Sequence, residues 1–164
     1  MKALTCLALA ALMLTARSAA ADTGPKLDML DFFTGKTHAD NVMKTALHRP
    51  HKLIVDSVGG HNKEGEFVLI DNVQEEGKPA RKRVWAMHPA GPNRFTGTLS
   101  DAAGPVDVTV SGDTATIRYI MKDGHIAIDQ RLQLQRDGTL SNHVMARKFG
   151  MKFGDVQGTI RKLD

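Results

Sequence analysis

The sequence predicts an all-β protein, an antiparallel meander of about ten short strands that closes into a barrel. From about residue 33 onwards, short strand-like segments alternate with Gly, Asn, Asp and Pro. The loops between the predicted strands are too short to hold crossover helices. Neighbouring strands should therefore run antiparallel. The roughly 140 residues that follow a predicted leader are enough for one domain with a single core.

The element before the strands has a helical pattern. In residues 27–33, LDMLDFF, apolar side chains recur at helical offsets and predict a short helix that leads into the sheet. Ten strands are then predicted, at residues 35–43, 51–58, 66–74, 80–88, 94–100, 106–111, 114–122, 125–135, 141–148 and 155–161.

The predicted turns contain residues that tolerate unusual backbone geometry. A tight hairpin needs positive φ, which Gly adopts because it has no Cβ atom. Six such turns separate the strands: Gly59-Gly60, Gly77-Lys78-Pro79, Gly91-Pro92-Asn93, Gly112-Asp113, Asp123-Gly124 and Asp137-Gly138. The two Asp-Gly pairs are the strongest hairpin signals.

Side-chain alternation indicates which residues point into the barrel. Two strands alternate cleanly, and their inward residues are Val106, Val108 and Val110 in one and Ile126, Ile128, Leu132 and Leu134 in the other. Residues 53–55 and 67–70 are apolar on both faces, which predicts that the helix or a partner covers that part of the sheet. A closed barrel of this size holds side chains or one small ligand.

The first 21 residues have the pattern of a cleaved signal peptide. Lys2 supplies a positive start, residues 4–14 form a largely apolar run, and Ala19-Ala20-Ala21 offers small residues for cleavage after Ala21. The apolar run is shorter than the roughly 20 residues that span a bilayer. We therefore expect a signal peptide at 1–21, a barrel domain at 22–164, and a periplasmic or secreted protein.

Cysteine usage and charge exclude several classes of function. The single cysteine, Cys6, lies inside the leader, which excludes disulfides, thiolate metal sites and cysteine nucleophiles in the mature chain. Cys6 also precedes most of the apolar run, so no lipid anchor is expected.

Cleavage removes Lys2 and Arg17 from the 22 basic side chains and none of the 18 acidic ones, leaving an excess of two. Such a small and dispersed excess does not predict nucleic-acid binding.

Several stretches resemble DUF3833, a family of bacterial envelope proteins. They are the motif Arg83-Val84-Trp85, the segment FTGTLSDAAG at 95–104, Asn142 with the segment MARKFGMKFGDV at 145–156, and the opening DFFTG at 31–35. The resemblance covers nearly the whole mature chain. It implies a lipocalin-like barrel, often on a lipoprotein, and it implies no established activity.

The chain departs from that family in two places. Many members have a lipidation cysteine at the mature N-terminus, which this chain lacks. An aromatic, acidic stretch before the final strands is replaced here by AIDQRL at 127–132.

Arg83, Trp85 and Met87 share one face of a predicted strand and are the main candidates for a binding site. In one interpretation, Arg83 meets an anionic head group while Trp85 and Met87 line an apolar wall. In the other, Trp85 closes the base of the barrel, and Arg83 stacks on it or pairs with an acid.

Histidines near the second predicted strand are weak candidates for a metal site. They are His48 and His51, which flank Arg49-Pro50, and His61, with His38 and Asp40 before the strand. Neutral imidazoles with a carboxylate suit zinc or copper. Pro50 excludes a regular helix through the pair, and turn histidines are usually only solvated, so we predict neither a metal nor another cofactor.

Two further patterns each have a functional and a structural interpretation. Asp101 with Arg147 and Lys148 would supply an acid and a counter-ion for acid–base chemistry, but a loop Asp usually caps a turn. Gly150, Gly154 and Gly158 recur every four residues, which is the wrong spacing for a nucleotide loop and favours a bend or bulge in the last strand.

The sequence thus favours a non-covalent binder of a small apolar or amphipathic molecule, such as a lipid or fatty acid. The expected ligand-binding residues are Arg83, Trp85, Met87, Val108, Ile126, Ile128 and Leu132. The alternative is an envelope interaction module with a filled barrel that docks on a protein partner, and the third interpretation is an enzyme at the barrel mouth. No nucleic-acid partner is expected, and membrane association stays open.

Overall fold

The computed structural model describes residues 25–46 and 48–163. The predicted leader, its cleavage site and Cys6 lie outside the described residues. The described chain forms one short helix and ten antiparallel strands in a closed barrel, which confirms the predicted fold class. No helix in this part of the chain is long and apolar enough to cross a membrane.

Each predicted element is present with small changes of boundary. The helix α1 spans Met29–Phe33, and the strands are β1 Gly35–Thr45, β2 His48–His61, β3 Phe67–Glu75, β4 Arg81–Pro89, β5 Arg94–Leu99, β6 Val106–Ser111, β7 Thr114–Ile120, β8 Ala127–Leu134, β9 Leu140–Lys148 and β10 Met151–Leu163. Each strand pairs with its neighbours in sequence, and β1 pairs with β10 to close the barrel.

The predicted turn at Gly59-Gly60 is wrong. Both glycines lie within β2, which continues to His61. Chain reversal follows at Asn62, whose side-chain carbonyl accepts the backbone N–H groups of Glu64 and Glu66. Gly59 is needed for another reason, because a Cβ atom there would lie 2.2 Å from the carbonyl oxygen of Phe33.

Helix α1 closes one end of the barrel, which we call the helix end. Asp28 caps the helix by accepting the Asp31 N–H at 3.0 Å. The Leu27 N–H donates to the Gly112 carbonyl in the β6–β7 turn, and Phe32 and Phe33 are buried. The helix does not cover the outer face of the doubly apolar strands, so that part of the prediction is wrong.

The opposite end of the barrel, which we call the mouth, is formed by the turns β1–β2, β3–β4, β5–β6, β7–β8 and β9–β10. Near the helix end the interior is filled by residues such as Phe67, Met87 and Leu140.

Two of the three regularly spaced glycines lie where β10 closes onto β1. In the pairing of β10 with β9, the register shifts between Lys152 and Gly154. On the side facing β1, a Cβ atom at Gly158 would lie 2.1 Å from the Asp40 carbonyl oxygen. The structure thus gives these glycines a role in close strand packing.

Candidate functional site

The barrel encloses a cavity of about 240 Å³ that extends from α1 to the mouth. Met29 and Phe33 of the helix lie at its floor, while Lys44 and Arg81 lie where strands end at the mouth. Most of the wall is apolar. The polar side chains are confined to a few positions, and the largest group of them lies on β3, β4 and β7.

Most of the residues predicted for the binding site line this cavity. They are Arg83, Trp85, Met87, Ile126, Ile128 and Leu132. Val108 is the exception, because it is buried in the packed core and is not part of the cavity wall. The structure therefore brings six of these seven side chains to one space, and their role in binding stays a prediction.

Asp71 is a buried carboxylate in the cavity wall that the sequence analysis missed. Its oxygens accept hydrogen bonds from Trp85 Nε1 at 2.7 Å and from Ser57 Oγ at 2.8 Å. Burial raises the pKa of Asp71, and the bonds from Trp85 and Ser57 offset part of the rise. The signal was present in the sequence, since Asp71 occupies an inward position between Leu69 and Val73.

Arg83 lies between two aromatic rings beside this carboxylate. Its guanidinium carbon is 5.2 Å from the centre of the Trp85 ring and 5.9 Å from that of Tyr119. Its Nε lies 3.0 Å from Asp101 Oδ2, and its Nη2 donates to the Tyr119 hydroxyl at 3.0 Å. Burial lowers the pKa of Arg83, but Tyr119, Asp101 and Asp71 raise it more, so the charge is retained.

Stacking of Arg83 on Trp85 and its pairing with an acid are thus both observed, as the structural interpretation expected. The same side chain also lines the cavity, and its contact with an anionic head group stays a prediction. We call Asp71, Arg83, Trp85, Asp101 and Tyr119 the polar cluster.

The polar cluster has donors that the described residues do not use. Arg83 Nη1 has no hydrogen-bond partner among them. Every buried side-chain nitrogen or oxygen in the described chain has a partner, so this nitrogen must be open to the cavity or to solvent. Burial raises the pKa of Tyr119, so its hydroxyl stays protonated at neutral pH. That hydroxyl accepts from Arg83 and keeps its own hydrogen to donate.

A second polar group lies on β1, β8 and β9. Gln130 Nε2 donates to Asn142 Oδ1, and Asn142 Nδ2 donates to Asn41 Oδ1, both at 2.8 Å. Asn41 in turn donates to the Leu53 carbonyl at 3.2 Å. These amides mainly hydrogen-bond one another, and the bond between Asn142 and Asn41 links β9 to β1 across the intervening strand β10.

The structure does not bring the three candidate metal-ligating histidines together. His51 Nε2 contacts Glu75 at 3.0 Å near the mouth, whereas His61 packs edge-on against Phe67 at the far end of β2. His48 contacts Thr45 in the β1–β2 turn. In the described residues, no group of three or more histidine, cysteine or acidic side chains could hold a metal ion.

His38 and Asp40 lie elsewhere, on the outer face of the barrel. His38 Nδ1 is 2.6 Å from Asp56, and Arg161 binds Asp40 at 2.7 Å. The bond to Asp56 raises the pKa of His38 above its usual value of 6.5.

Asp101 does not pair with Arg147. Asp101 binds Arg81 and Arg83, while Arg147 binds Asp129 at 2.6 Å. The proposed acid and counter-ion therefore have separate structural partners.

An exposed apolar row lies on the outside of the barrel, and of the segments predicted to be apolar on both faces only 67–70 contributes to it, through Ile70. Val58 pairs with Ile70, and Ile70 pairs with Val84, so three apolar side chains lie side by side across β2, β3 and β4. All three are exposed. We call them the outer row.

The family model described as "Protein of unknown function (DUF3833)" matches residues 6–162. The chain belongs to the DUF3833 family. The match begins within the predicted leader and covers the barrel up to the penultimate residue of β10. No curated protein matches the chain in sequence.

Solved structures show the same fold at low sequence identity. The S-type phycobiliprotein lyase CPES from Guillardia theta has a TM-score of 0.65 at 7% identity, covering 82% of this chain and 90% of the lyase chain. Rv2717c from M. tuberculosis has a TM-score of 0.63 at 16% identity, covering 82% of this chain and 95% of the other.

A protein of unknown function from the DUF3598 family of Nostoc punctiforme has a TM-score of 0.65 at 11% identity, covering 85% of this chain and 50% of that one. At these identities the likeness concerns the fold alone, a lipocalin-like barrel.

Proposed function

We propose that this DUF3833 protein binds a single-chain amphipathic molecule, such as a fatty acid, inside the barrel and without covalent chemistry. The observation that carries the proposal is a largely apolar cavity of about 240 Å³ whose wall includes the unused donors of Arg83 and Tyr119. Small-molecule sites typically combine much apolar surface with a few placed polar groups.

The size of the cavity favours one chain. An apolar cavity of about 150 Å³ holds a benzene ring, so the cavity here, which is larger and reaches the mouth, takes one alkyl chain whose head group lies towards the mouth. A lipid with two long acyl chains has several times that volume and does not fit.

The positions of the polar and apolar side chains support one orientation of the ligand. The apolar floor is formed by residues such as Met29, Phe33 and Leu132, next to the helix end. Arg83 and Tyr119 lie towards the mouth, on β4 and β7. The chain of the ligand therefore points to the helix, and its head group accepts hydrogen bonds from Arg83 Nη1 and the Tyr119 hydroxyl.

The other two interpretations are less well supported. The interaction-module interpretation assumes a barrel filled with side chains, and the cavity argues against a filled barrel. The outer row remains available to a protein partner. For an enzyme, the wall offers Ser57, which donates to Asp71. The described wall contains no histidine to act as a base, so a hydrolytic arrangement is not supported.

The proposal includes export. The pattern of residues 1–21 supports a cleaved signal peptide and a periplasmic or secreted protein. Mass spectrometry of the protein isolated from its host tests this, because it shows directly whether the mature chain begins at Asp22, the residue after the predicted cleavage site.

Trp85 is the single tryptophan of the chain and lines the cavity, so its fluorescence reports occupancy. We would titrate the purified protein with 11-bromoundecanoate, whose heavy atom quenches nearby tryptophan, and with 11-bromoundecanol as a neutral comparator. We expect saturable quenching with one ligand per chain.

The matched variants Arg83→Gln and Tyr119→Phe test the head-group contacts. Loss of a hydrogen bond to a charged partner costs about 1.5–3 kcal/mol, so Arg83→Gln should weaken carboxylate binding roughly tenfold or more and binding of the alcohol less. Tyr119→Phe should weaken both a few-fold. Quenching that does not saturate, or equal affinity in all three proteins, would contradict the proposed site.

A further inference from the structure

The β9–β10 turn at the mouth exposes the two least covered large apolar side chains of the described residues. Phe149 is 86% exposed and Met151 is 70% exposed, on either side of Gly150. We call residues 148–152 the β9–β10 tip. The remaining exposed large apolar residues lie on strand faces and are covered to a greater extent.

Phe149 is held in a backbone conformation that a bulky side chain rarely adopts. Its φ is +53° and that of Gly150 is +79°. A two-residue hairpin with positive φ at both positions is usually made by Asn-Gly or Asp-Gly. A phenylalanine that is both strained and exposed contributes nothing to folding that a smaller polar residue would not provide, which indicates a role outside the fold.

The tip also contains cations. Lys148 and Lys152 flank the segment with Phe149 and Met151, and the Lys148 amino group lies 5.7 Å from the centre of the Phe149 ring. Lys44 and Arg49 belong to the β1–β2 hairpin, which is adjacent because β1 pairs with β10. Lys152 is neutralised by Asp155 at 2.7 Å.

The other three cations, Lys44, Arg49 and Lys148, make no ion pair with a carboxylate of residues 25–46 or 48–163. Elsewhere on the mouth acids are also present, at Glu76 in the β3–β4 turn and at Asp123 in the β7–β8 turn.

We propose that the β9–β10 tip docks onto an anionic lipid surface, with Phe149 and Met151 inserted between the head groups. Exposed apolar side chains ringed by lysine and arginine are the pattern of interfacial membrane binding, in which the basic residues are attracted to anionic lipids. The inference goes beyond the proposed function, because docking does not require an occupied cavity.

Docking at this tip would bring the mouth of the cavity against the membrane. Beyond the tip, β10 continues through Phe153, Gly154 and Asp155, all of which line the cavity. A single-chain ligand could then pass between bilayer and barrel without crossing bulk water.

Co-sedimentation with vesicles tests the proposal. We would mix the purified protein with vesicles of phosphatidylcholine alone and of phosphatidylcholine with about 30% phosphatidylglycerol. We expect binding to the anionic vesicles, little binding to the neutral ones, and at least tenfold weaker binding when the salt concentration is raised from about 0.05 to about 0.5 M, as screening requires.

The variant Phe149→Asn with Met151→Thr should lose at least tenfold in vesicle affinity. The control, Val58→Thr with Val84→Thr, removes two exposed apolar side chains from the outer row and should bind as the wild type does. Thermal unfolding checks that both variants are folded. Absence of wild-type binding to anionic vesicles, or a tip variant that binds equally well, would overturn the proposal.

The ligand titration separates the two claims. The tip variant should bind 11-bromoundecanoate in solution as the wild type does, because neither substituted residue lines the cavity. A protein that does not bind vesicles can therefore still bind the ligand in its cavity. A protein that does not bind the ligand can still dock on vesicles.

Discussion

At the residue scale, Asp71 organises the polar cluster. It holds Trp85 and Ser57 by one hydrogen bond each and contributes, together with Asp101, to the field that keeps Arg83 charged. Burying a carboxylate this deeply lowers the free energy of unfolding unless its hydrogen bonds are made. The hydrogen bond from Trp85 to Asp71 fixes the indole in the cavity wall.

Replacing Asp71 with Ala should destabilise the protein by about 1–3 kcal/mol, because two buried donors would lose their acceptor. Asp71→Asn should cost less, since the amide oxygen can accept from Trp85 while the amide nitrogen donates to Ser57. Urea unfolding of the two variants measures the difference. Equal stabilities would show that the hydrogen bonds are not what matters at this position.

His38 predicts a dependence of stability on pH. Hydrogen bonds to Asp56 and Asp40 raise its folded pKa above 6.5, against an opposing effect of burial and of Arg161. A raised histidine pKa stabilises the fold fully below pH 6.5, and the contribution is lost as the pH rises through the folded value.

We therefore expect the free energy of unfolding to fall between about pH 6 and about pH 8. His51, whose pKa is also raised, by the Arg49 carbonyl and by Glu75, should contribute in the same direction. The decline should be smaller in His38→Gln, as measured by urea unfolding at the two pH values. An identical decline in wild type and variant would refute the assignment to His38.

At the scale of single elements, the β9–β10 hairpin exposes an apolar ring at some expense to the stability of the fold. Phe149 contributes almost no buried area, and its positive φ is unfavourable for a residue with a Cβ atom. Asparagine tolerates this conformation better than other non-glycine residues.

Phe149→Asn should raise the free energy of unfolding by about 1 kcal/mol, within the range expected for relief of a left-handed residue. Phe149→Ala is the matched control, because it removes the ring but keeps the unfavourable backbone, and it should give little gain. Thermal or urea unfolding distinguishes them. A destabilised Asn variant would mean that the exposed ring supports the fold after all.

The elements also show what local sequence could predict. Asp123-Gly124 and Asp137-Gly138 were found as turns because both glycines need positive φ, +69° and +81°. Gly59-Gly60 misled the prediction because a glycine pair signals either a turn or a close approach of backbone. Only the position of Phe33 against Gly59, which depends on tertiary packing, decides between them.

At the scale of the whole molecule, the candidate site could be predicted only in part. Arg83, Trp85 and Met87 were found because they share one strand face. Asp71 and Tyr119 belong to other strands, and Asp101 belongs to a loop. Their meeting depends on barrel closure and on the register between strands distant in sequence, which alternation within one strand does not specify.

The barrel as a whole has two unlike ends. The helix and the apolar core close one end, while the cavity reaches the other, where the polar cluster and the basic tip lie. Ligand binding and membrane docking would thus use the same end of the molecule. Docking does not depend on whether the cavity binds a ligand.

The most direct test of ligand binding inside the barrel fills the cavity. Val144 lines it, and Val42 lies on the outer face of β1, so Val144→Phe and Val42→Phe add the same ring inside and outside. In the Trp85 quenching titration with 11-bromoundecanoate, we predict at least tenfold weaker binding in Val144→Phe and unchanged binding in Val42→Phe, with both proteins folded. Unchanged binding in Val144→Phe would contradict a site inside the barrel.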